Sequence, residues 1–509
     1  MIESSRHIIS SSLSPNPDRP VPLYEQVVSG IRGLIKDGGL SPSTRLPSTR
    51  TLADILGVSR STTTKAYDRL QEEGYLKSHV GSGTYVTEDL PSQYLEARPL
   101  PEESPEVLEI QNTRARSSDL TLGADRIADH ELSPVENPSY QTAFRPGIPA
   151  LDAFPIEKWS ALVSRKWQSV PRKELVYGSP KGFFPLRKAI AKYLRSMRGV
   201  LCEAEQILIV SGVQQALSLT ARVLLNDEDF AWMEDPGYVR MREFLRARGA
   251  EVRSVPVDAD GFDFHTAMNR RGSSPQMACI TPSHQYPLGV TMGVDRRVGL
   301  LKWAARTETW IFEDDYDSEY RFSGRPIAAL QGMDNAGRVL YAGTFSKVLF
   351  PALRLGYLVL PTDLVEPFSR LRELSDRCPP RVPQMVVKDF LQEGHMEEHI
   401  RRMRTLYANR QAALVEAIEK YLGNFLDAEP RDAGLHLIGW LPPGVDDQEA
   451  SRVLAELDLF APPLSFYTHS SIDRGGLLLG YGGVPTEDIP EKVTQMASAL
   501  GDRFGFNLS

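Results

Sequence analysis

The sequence is poor in cysteine and lacks a long apolar run. Its three cysteines, Cys202, Cys279 and Cys378, are far apart and have no metal-binding spacing, so they indicate free thiols in a reducing cytosol. No run of about 18 apolar residues is present to cross a membrane. The first residues, MIESSRHIISSSL, lack the apolar core of a secretory signal. We therefore expect a cytoplasmic protein.

The chain also has no excess of positive charge. Its net charge is −8, which argues against a protein that coats nucleic acid over its whole surface, although a local basic surface could still bind DNA. The composition, 41% hydrophobic and 24% charged, excludes wholesale disorder. With 509 residues the chain exceeds what one core usually supports, so we expect two or three domains.

Three zones differ in their pattern. Residues 1–88 contain short helical patterns and end near SHVGSGTYV. Residues 89–140 include LPSQYLEARPLPEESPEV, whose proline, glutamate and serine predict a linker. From 141 to 509 short apolar runs alternate with helical ones, which predicts an α/β fold with a mostly parallel sheet and helices on both faces. The expected strands are Gln206–Val210, Met277–Thr281, Trp310–Phe312, Arg338–Gly343 and Gly356–Leu360.

The N-terminal zone predicts two helices joined by a tight turn. In STRTLADILGVSRSTTTKAYDRL, Leu52 and Leu56 share one face of a first helix, which ends at Gly57. Ser59 is placed to cap a second helix, since a serine oxygen can accept from the N–H groups at a helix start. Taken alone, this pair is equally typical of a helical hairpin with a solvated outer face.

The residues after the helix pair favour DNA binding. GYLKSHVGSGTYV predicts a two-stranded wing around Gly81 and Gly83, able to lie along the DNA backbone. From PLYEQVVSGIRGLIKDGGL to the end of this wing, the sequence resembles the winged helix-turn-helix of the GntR family. The resemblance and the exposed front of the second helix place contacts with double-stranded DNA at Arg50, Ser59, Arg60, Ser61, Thr62, Thr64, Lys65 and Gly81.

The C-terminal zone has candidates for the groups that pyridoxal 5'-phosphate needs. These are an amine for the aldehyde, a carboxylate for the ring nitrogen, a phosphate cradle and a group near the phenolic oxygen. Lys347, in GTFSKVLFPALRLGY, follows a predicted strand and is the candidate amine. Thr344 and Ser346 can bind phosphate oxygens, and Arg354 adds a cation. A lone lysine in FSK is structural or exposed in most proteins, so this motif is weak by itself.

Two other strand ends supply further candidates. In VSGVQQAL, Gly212, Val213 and Gln214 begin a helix whose N–H groups can hold a phosphate. In WIFEDDYDSEY, Asp314 would meet the pyridine nitrogen and Tyr316 the phenolic oxygen.

Two loops supply the remaining candidates. Tyr238, in DPGYVR, could cover the ring face, with Arg240 on the substrate side, although Tyr238 is also typical of a core residue. In TPSHQYPLG, His284 or Gln285 could reach the ring.

Two patterns offer metal-site alternatives. The acidic run Glu313–Glu319 could be a solvated loop or could imitate a magnesium site. His395 and His399 have a helical zinc spacing but no third ligand, so we expect no metal.

The order of these motifs resembles the fold-type I aminotransferases across 141–509. EDDYDSEYRFSGRPIAALQG followed by YAGTFSKVLFPALRLGY is similar to the MocR subfamily of GntR regulators, which join a winged helix-turn-helix to an aminotransferase-like domain. The resemblance implies pyridoxal 5'-phosphate as cofactor, a large subdomain at about 170–370 and a small one at about 371–509. It also implies a homodimer, often head-to-tail, with its sites at the interface and an operator of two half-sites.

The sequence departs from the aminotransferase pattern at one position. Amino acid aminotransferases use an arginine there to clamp the substrate carboxylate. In GGLLLGYGG its position falls on Leu478, with Arg474 nearby and Arg240 as a substitute. A missing clamp would favour an effector other than a simple amino acid, such as the cofactor vitamer itself or a sulfonate.

Three functional hypotheses follow. The first is a transcriptional regulator that senses a small metabolite, an amino compound or a pyridoxal phosphate vitamer, through the aminotransferase-like domain. The alternative is an active aminotransferase with a DNA-binding appendage, for which the missing clamp predicts at most weak turnover. The third is a DNA-binding protein whose large domain only dimerises.

Overall fold

The computed structural model describes residues 2–79, 83–88, 142–269, 274–323, 327–470 and 472–506. The chain forms two compact units, Met1–Asp119 and Leu120–Ser509. Gly81 and the predicted linker 89–140 lie outside the described residues, and the zone boundaries at 88 and 140 stay predictions. No helix among the described residues is long and apolar enough to span a membrane.

The first unit is a helical head with a two-stranded hairpin. Its described elements are α1 (Ile2–Ser12), α2 (Leu23–Lys36), α3 (Thr49–Leu56), α4 (Arg60–Glu72), β1 (Leu76–His79) and β2 (Gly83–Val86). β1 and β2 pair antiparallel. The apolar faces of the helices and the hairpin meet in one core, which includes Ile9, Ile31, Leu52, Leu70 and Val86.

The helix pair α3–α4 begins at capping serines. Ser48 Oγ accepts the Thr51 N–H at 3.2 Å, and Ser59 Oγ accepts the Thr62 N–H at 3.1 Å. These bonds satisfy N–H groups that have no partner inside the helix. The cap predicted at Ser59 is therefore present. Leu56, expected on the inner face, is only partly buried.

The second unit contains a large mixed sheet and a small sheet. Its helices are α5 (Ile156–Ser169), α6 (Phe184–Arg198), α7 (Val213–Leu224), α8 (Val239–Ala247), α9 (Phe264–Met268), α10 (Val294–Thr307), α11 (Val365–Asp376), α12 (Arg381–Gln392), α13 (His395–Leu422), α14 (Asp447–Ala455) and α15 (Ile489–Phe504). Its strands are β3 (Ile207–Val210), β4 (Phe230–Asp235), β5 (Glu251–Asp258), β6 (Gly261–Phe262), β7 (Met277–Ile280), β8 (Trp310–Asp315), β9 (Val339–Thr344), β10 (Gly356–Val359), β11 (Asp427–Ala428), β12 (His436–Trp440) and β13 (Gly476–Gly480).

The large sheet has the strand order β3-β10-β9-β8-β7-β4-β5-β6. The pairs from β9 through β8, β7 and β4 to β5 are parallel, while β10 runs antiparallel to β3 and β9, and β6 runs antiparallel to β5. The predicted mostly parallel α/β sheet is confirmed. Successive residues of β9 pack into different cores, with Leu340 and Ala342 on one face and Val339 and Tyr341 on the other. Strands buried on both faces are the reason for the continuous apolar runs.

The small sheet, β11-β12-β13, is antiparallel and has its own core. This core takes residues of α13 from Met403 onward, while Ile400 and Met396 pack with the large sheet. Phe144, from a segment far away in sequence, is also buried in it. The residues of α13 thus divide between two cores. The predicted subdomain division near 370 stays a prediction.

Candidate functional site

A cavity of about 380 Å³ lies in the second unit where strands of the large sheet end, and we call it the strand-end cavity. β8 and β9 supply Asp314 and Thr344 from their carboxyl ends. The segments after β3, β4 and β7 supply Gly212, Tyr238 and Thr281. Open α/β sheets bind ligands at this edge, because the strands and the following helices direct their polar groups there.

Lys347 lies in this cavity just after β9. Its Nζ donates a hydrogen bond to Gly147 O at 2.7 Å. Burial lowers the pKa of the Lys347 amine, and the charge of Arg145 acts in the same direction, while Asp317 and Asp314 oppose them. An amine that loses its proton more easily can attack an aldehyde, which is the chemistry expected of Lys347.

Asp314 is buried without a full set of partners. It is 5% exposed, and its Oδ1 has no hydrogen-bond partner among the described residues. Burial raises the pKa of Asp314 well above its ordinary range, and the neighbouring Asp315 carboxylate adds to the shift. Buried carboxylates normally have donors. The orphaned oxygen therefore fits a ligand that brings an N–H donor, such as a protonated pyridine nitrogen.

The start of α7 forms a cradle beside Asp314. Gly212 has φ 127, a conformation that favours glycine, and it directs the chain into the helix start at Val213 and Gln214. Gln214 Nε2 is buried without a hydrogen-bond partner among the described residues. The Arg354 guanidinium lies next to Gly212, since a Cβ built there would be 3.8 Å from its Nη1. Helix-start N–H groups with an adjacent arginine fit a phosphate.

All the predicted cofactor residues except His284 and Gln285 line the cavity. The Gln285 amide instead donates to Pro236 O at 2.9 Å, in the loop after β4, and to Tyr286 O at 2.7 Å. His284 lies behind Tyr316, with its Nδ1 3.0 Å from Tyr316 Oη. That one of these two side chains reaches the ring stays a prediction; neither lines the cavity, and His284 contacts Tyr316, which does.

The acidic run is buried, so the solvated-loop alternative is wrong. Glu313 accepts the N–H groups of Leu330 and Gln331 at 2.8 and 2.9 Å, and burial raises its pKa to about 7. Asp315 pairs with Arg198, with Nε and Oδ2 2.8 Å apart. These carboxylates thus have separate structural partners. The described residues contain no group of three or more His, Cys, Asp or Glu side chains placed to hold a metal.

The two histidines with zinc spacing lie apart from the cavity. His399 is buried with Nε2 2.9 Å from Val348 O, and burial lowers its pKa to about 4. His395 lies near the carboxylate of Glu393, with 3.6 Å between Nε2 and Oε2.

The carboxylate clamp of amino acid aminotransferases has no equivalent on β13. Leu478 is fully buried in an apolar cluster with Ile438 and Tyr467. Arg474 donates to Leu441 O at 2.7 Å and does not line the cavity. Arg240 does line it, as predicted.

Sequence reasoning missed the residues that tertiary packing brings to the cavity. Arg145 and Gly147 precede the first predicted strand of the large sheet, while His436 lies on β12 and Tyr467 between α14 and β13. Their distance along the chain hid them, although the RPG triplet at 145–147 is a turn signal that could have been noticed. Tyr286 also lines the cavity, where its hydroxyl lies 3.2 Å from that of Tyr467.

The head presents the predicted DNA contacts to solvent. Arg50, Ser59, Arg60, Ser61 and Lys65 are exposed, and Thr62 and Thr64 are half-buried at the front of α4. Beside them, the guanidinium carbon of Arg45 lies 6.0 Å from the centre of the Tyr85 ring on the hairpin. Arg45 lies in the segment before the predicted helix pair and was not among the predicted contacts.

Comparison with known proteins gives two family matches. A model of aminotransferase class I and II matches residues 152–471, and a model of the gntR family of bacterial regulatory proteins matches residues 23–86. The probable rhizopine catabolism regulatory protein MocR of Rhizobium meliloti is 37% identical over 488 residues, covering 95% of this chain and 94% of that protein. The pyridoxine biosynthesis transcriptional regulator PdxR of Corynebacterium glutamicum is 28% identical and covers 95% and 97%.

Solved aminotransferase structures match most of the chain. The α-aminoadipate aminotransferase LysN of Thermus thermophilus, solved with N-(5'-phosphopyridoxyl)-L-leucine, has a TM-score of 0.70 at 25% identity, covering 76% of this chain and 99% of that one. The kynurenine aminotransferase of Pyrococcus horikoshii, solved with PMP, has a TM-score of 0.66 at 25% identity and covers 81% and 98%.

Proposed function

The chain belongs to the MocR-type regulators of the GntR family, which bind DNA and sense a metabolite through a pyridoxal phosphate-dependent, aminotransferase-like domain, and we propose how its two units divide this work. The head at 1–88 reads DNA, and 89–140 serves as the linker. Residues 141–509 hold cofactor and effector, with a subdomain division near 370. We place the protein in the cytosol, where its DNA is.

The observation that carries the proposal is the combination of groups in the strand-end cavity. A lysine with a lowered pKa, a carboxylate with an orphaned oxygen and an anion cradle at a helix start lie together in one cavity. Pyridoxal phosphate supplies an aldehyde and an electron-withdrawing ring, which let an amino compound bind covalently and reversibly.

Each side chain has a separate task toward that group. Lys347 would provide the amine, and Asp314 would accept the hydrogen of a protonated pyridine nitrogen. The α7 start at Gly212, Val213 and Gln214 would hold the phosphate, together with Thr344, Ser346 and Arg354. Tyr316 would donate to the phenolic oxygen, and Tyr238 would cover the ring.

We propose that the effector is an amino compound with an anionic group, or a pyridoxal phosphate vitamer. Arg240 lines the cavity at its exposed side, where it can pair with an anion. With Leu478 in the clamp position, a simple α-amino acid lacks the partner it has in aminotransferases. Effector binding can alter DNA binding only if the effector has different affinities for two arrangements of the protein.

The DNA head would place the front of α4 in the major groove. Arg60, Ser61, Thr64 and Lys65 lie on its accessible side, where cations and hydroxyls reach phosphates and base edges.

We infer a homodimer, head-to-tail as in the family, that reads two half-sites. An exposed apolar patch supports this: Val176, Tyr177 and Leu374 are 67%, 75% and 85% exposed. The guanidinium carbon of Arg377 lies 4.4 Å from the centre of the Tyr177 ring and joins the two segments. We call these residues the Tyr177 patch. Apolar side chains exposed together commonly mark an association surface.

One experiment tests regulator and sensor together. The purified protein, loaded with pyridoxal phosphate, is titrated with GABA, taurine, D- and L-amino acids and pyridoxal, and absorbance is recorded. The DNA affinity of the same samples is measured with a labelled duplex. The protein itself is first used to select this duplex from random-sequence DNA. We expect one compound class to change the absorbance and the DNA affinity over the same concentration range. Absorbance changes that never accompany a change in DNA affinity would contradict the sensor role.

A further inference from the structure

Two side chains, Asp317 and Tyr316, converge on one atom of a third, His284, behind the wall of the strand-end cavity. His284 Nδ1 lies 3.0 Å from each oxygen of Asp317 and 3.0 Å from Tyr316 Oη. Asp317 and His284 are 1% and 3% exposed, so water does not compete for these contacts. Tyr316 lines the cavity, and its only hydrogen bond within the described part of the chain is this one.

The geometry decides which nitrogen of His284 carries the proton. An unprotonated Nδ1 would direct its lone pair at two carboxylate oxygens in a medium that screens charge poorly. A proton on Nδ1 instead gives a charge-assisted hydrogen bond to Asp317. Nε2 is buried and has no hydrogen-bond partner among the described residues, so a proton placed there would lack an acceptor.

The imidazole ring is held in this orientation by close packing. A Cβ at Gly434 would lie 2.1 Å from the ring Cε1, and one at Gly289 would lie 3.2 Å from Nε2. On another side the His436 ring centre is 5.3 Å away. A ring flip that exchanges the two nitrogens would require these neighbours to move.

The Tyr316 hydroxyl therefore cannot give its hydrogen to His284. Nδ1 already carries a proton, and that proton is engaged by Asp317. We propose that Asp317 is a positioning residue, which acts through His284 to keep the Tyr316 hydroxyl hydrogen directed into the strand-end cavity, toward the phenolic oxygen of bound pyridoxal phosphate. This inference rests on the cofactor placement proposed above.

Other ionisable groups also act on this site and must be kept constant in a test. Asp314, Glu234 and Tyr286 interact electrostatically with Tyr316. His436 interacts with His284, and Lys347 interacts with Asp317. Asp317 itself favours the charged form of Lys347. Replacing Asp317 thus changes both a charge and the hydroxyl orientation, and a single variant cannot separate the two effects.

A double-mutant cycle separates them. The readout is the pH midpoint at which the visible absorbance of the full chain loaded with pyridoxal phosphate changes. In the wild type we expect Tyr316→Phe to raise the midpoint by about one pH unit, because a donor to the phenolate oxygen is lost. In an Asp317→Asn background Nδ1 becomes an acceptor for the Tyr316 hydroxyl, and the same change should shift the midpoint by less than about 0.3 unit.

Removing the competing acceptor should restore the effect. In an Asp317→Asn, His284→Phe background the Tyr316 hydroxyl has no acceptor behind it, and Tyr316→Phe should again raise the midpoint by about one unit. Loss of packing alone predicts no such restoration. The control is Asp389→Asn. Asp389 is a buried, ion-paired carboxylate on α12 away from the cavity, so the full Tyr316→Phe shift should remain in this background.

Two results would overturn the inference: an undiminished Tyr316→Phe shift in the Asp317→Asn background, or no restoration when His284→Phe is added. If the Asp317→Asn variant does not fold, the His284→Phe background is decisive by itself. The inference requires the full Tyr316→Phe shift of the midpoint in that background, and loss of the shift contradicts it. A wild type without any visible band would instead refute the cofactor placement.

Discussion

At the residue scale, Lys347 depends on a backbone oxygen that only glycine brings close enough. Gly147, whose carbonyl accepts from Nζ, has φ 71, and a Cβ there would lie 2.5 Å from Nζ. We expect Gly147→Ala to weaken pyridoxal phosphate binding at least about tenfold, because the methyl group displaces the amine. An absorbance titration measures this.

The matched control is Gly444→Ala. Gly444 has φ 85 but open space around it, so alanine there causes backbone strain of about 1 kcal/mol without touching the site. Equal loss of cofactor affinity in both variants would show that strain, and not contact with Lys347, is responsible.

Asp314 illustrates a conflict between function and stability. Its folded-state pKa is raised above the ordinary 3.8, so the native state holds the proton more tightly than the unfolded state. Stability of the cofactor-free protein must then fall as pH rises above about 4 through the folded-state pKa. Asp314→Asn removes this penalty, and we expect its melting temperature at pH 7 to be about 2–4 °C higher, with little difference near pH 4.

The neighbouring carboxylate should respond in the opposite direction. Asp315 pairs with Arg198, and both side chains are almost completely buried. Asp315→Asn leaves a buried arginine without its partner and should cost about 3–5 kcal/mol of unfolding free energy. Thermal unfolding of the two variants stripped of cofactor tests the contrast; destabilisation by both would refute the account of Asp314.

The sequence predicted residues near strand ends better than residues brought in by packing. Lys347, Asp314 and Gly212 follow apolar runs, and the position of a strand end is readable from such runs. Gly147 and Tyr467 reach the cavity from segments far away along the chain, and the turn signal around Gly147 does not indicate that destination. Gln285 looked equally well placed, but its amide donates to Pro236 O in the loop after β4 and to Tyr286 O, which sequence cannot reveal.

At the element scale, strand prediction succeeded where the sheet buries both faces of a strand. β7, β8, β9 and β10 match expected runs. β4, whose run is FAWMED, was not among the expected strands. Its Glu234 is buried and accepts from the Thr281 N–H and hydroxyl at 3.1 and 2.6 Å, so a specific donor set lets an acid occupy a buried strand.

The recognition helix α4 allows a test with two arginines on one helix. Arg60 is exposed at its start, while Arg69, near its end, pairs with Glu73 at 3.0 Å. We expect Arg60→Ala to weaken binding to the selected duplex about tenfold or more and to reduce the dependence on salt, because a phosphate or base contact is lost.

Arg69→Ala removes the same charge from the far end of α4. Its affinity for the duplex should stay within about twofold of the wild type, since this end lies outside the predicted contact. Fluorescence anisotropy at several salt concentrations measures both variants, and equal effects would mean that total charge, not the front of α4, determines binding.

At the scale of the whole molecule, the Tyr177 patch predicts the oligomeric state. We expect a mass of twice the 56.8 kDa chain in sedimentation analysis. Leu374→Glu should shift the mass toward the monomer, because a charge replaces an 85% exposed leucine that the partner would cover. Leu201→Glu, at a leucine 62% exposed outside the patch, is the control and should leave the dimer intact.

The central claim is that this DNA-binding chain holds pyridoxal phosphate on Lys347, and chemical trapping tests it most directly. The loaded protein is reduced with borohydride, digested with trypsin and analysed by mass spectrometry. Because trypsin does not cleave after a modified lysine, the account predicts one uncut peptide, residues 339–354, that carries a phosphopyridoxyl group on Lys347. A modified peptide from elsewhere in the chain, or unmodified cleavage after Lys347 in a fully loaded sample, would contradict it.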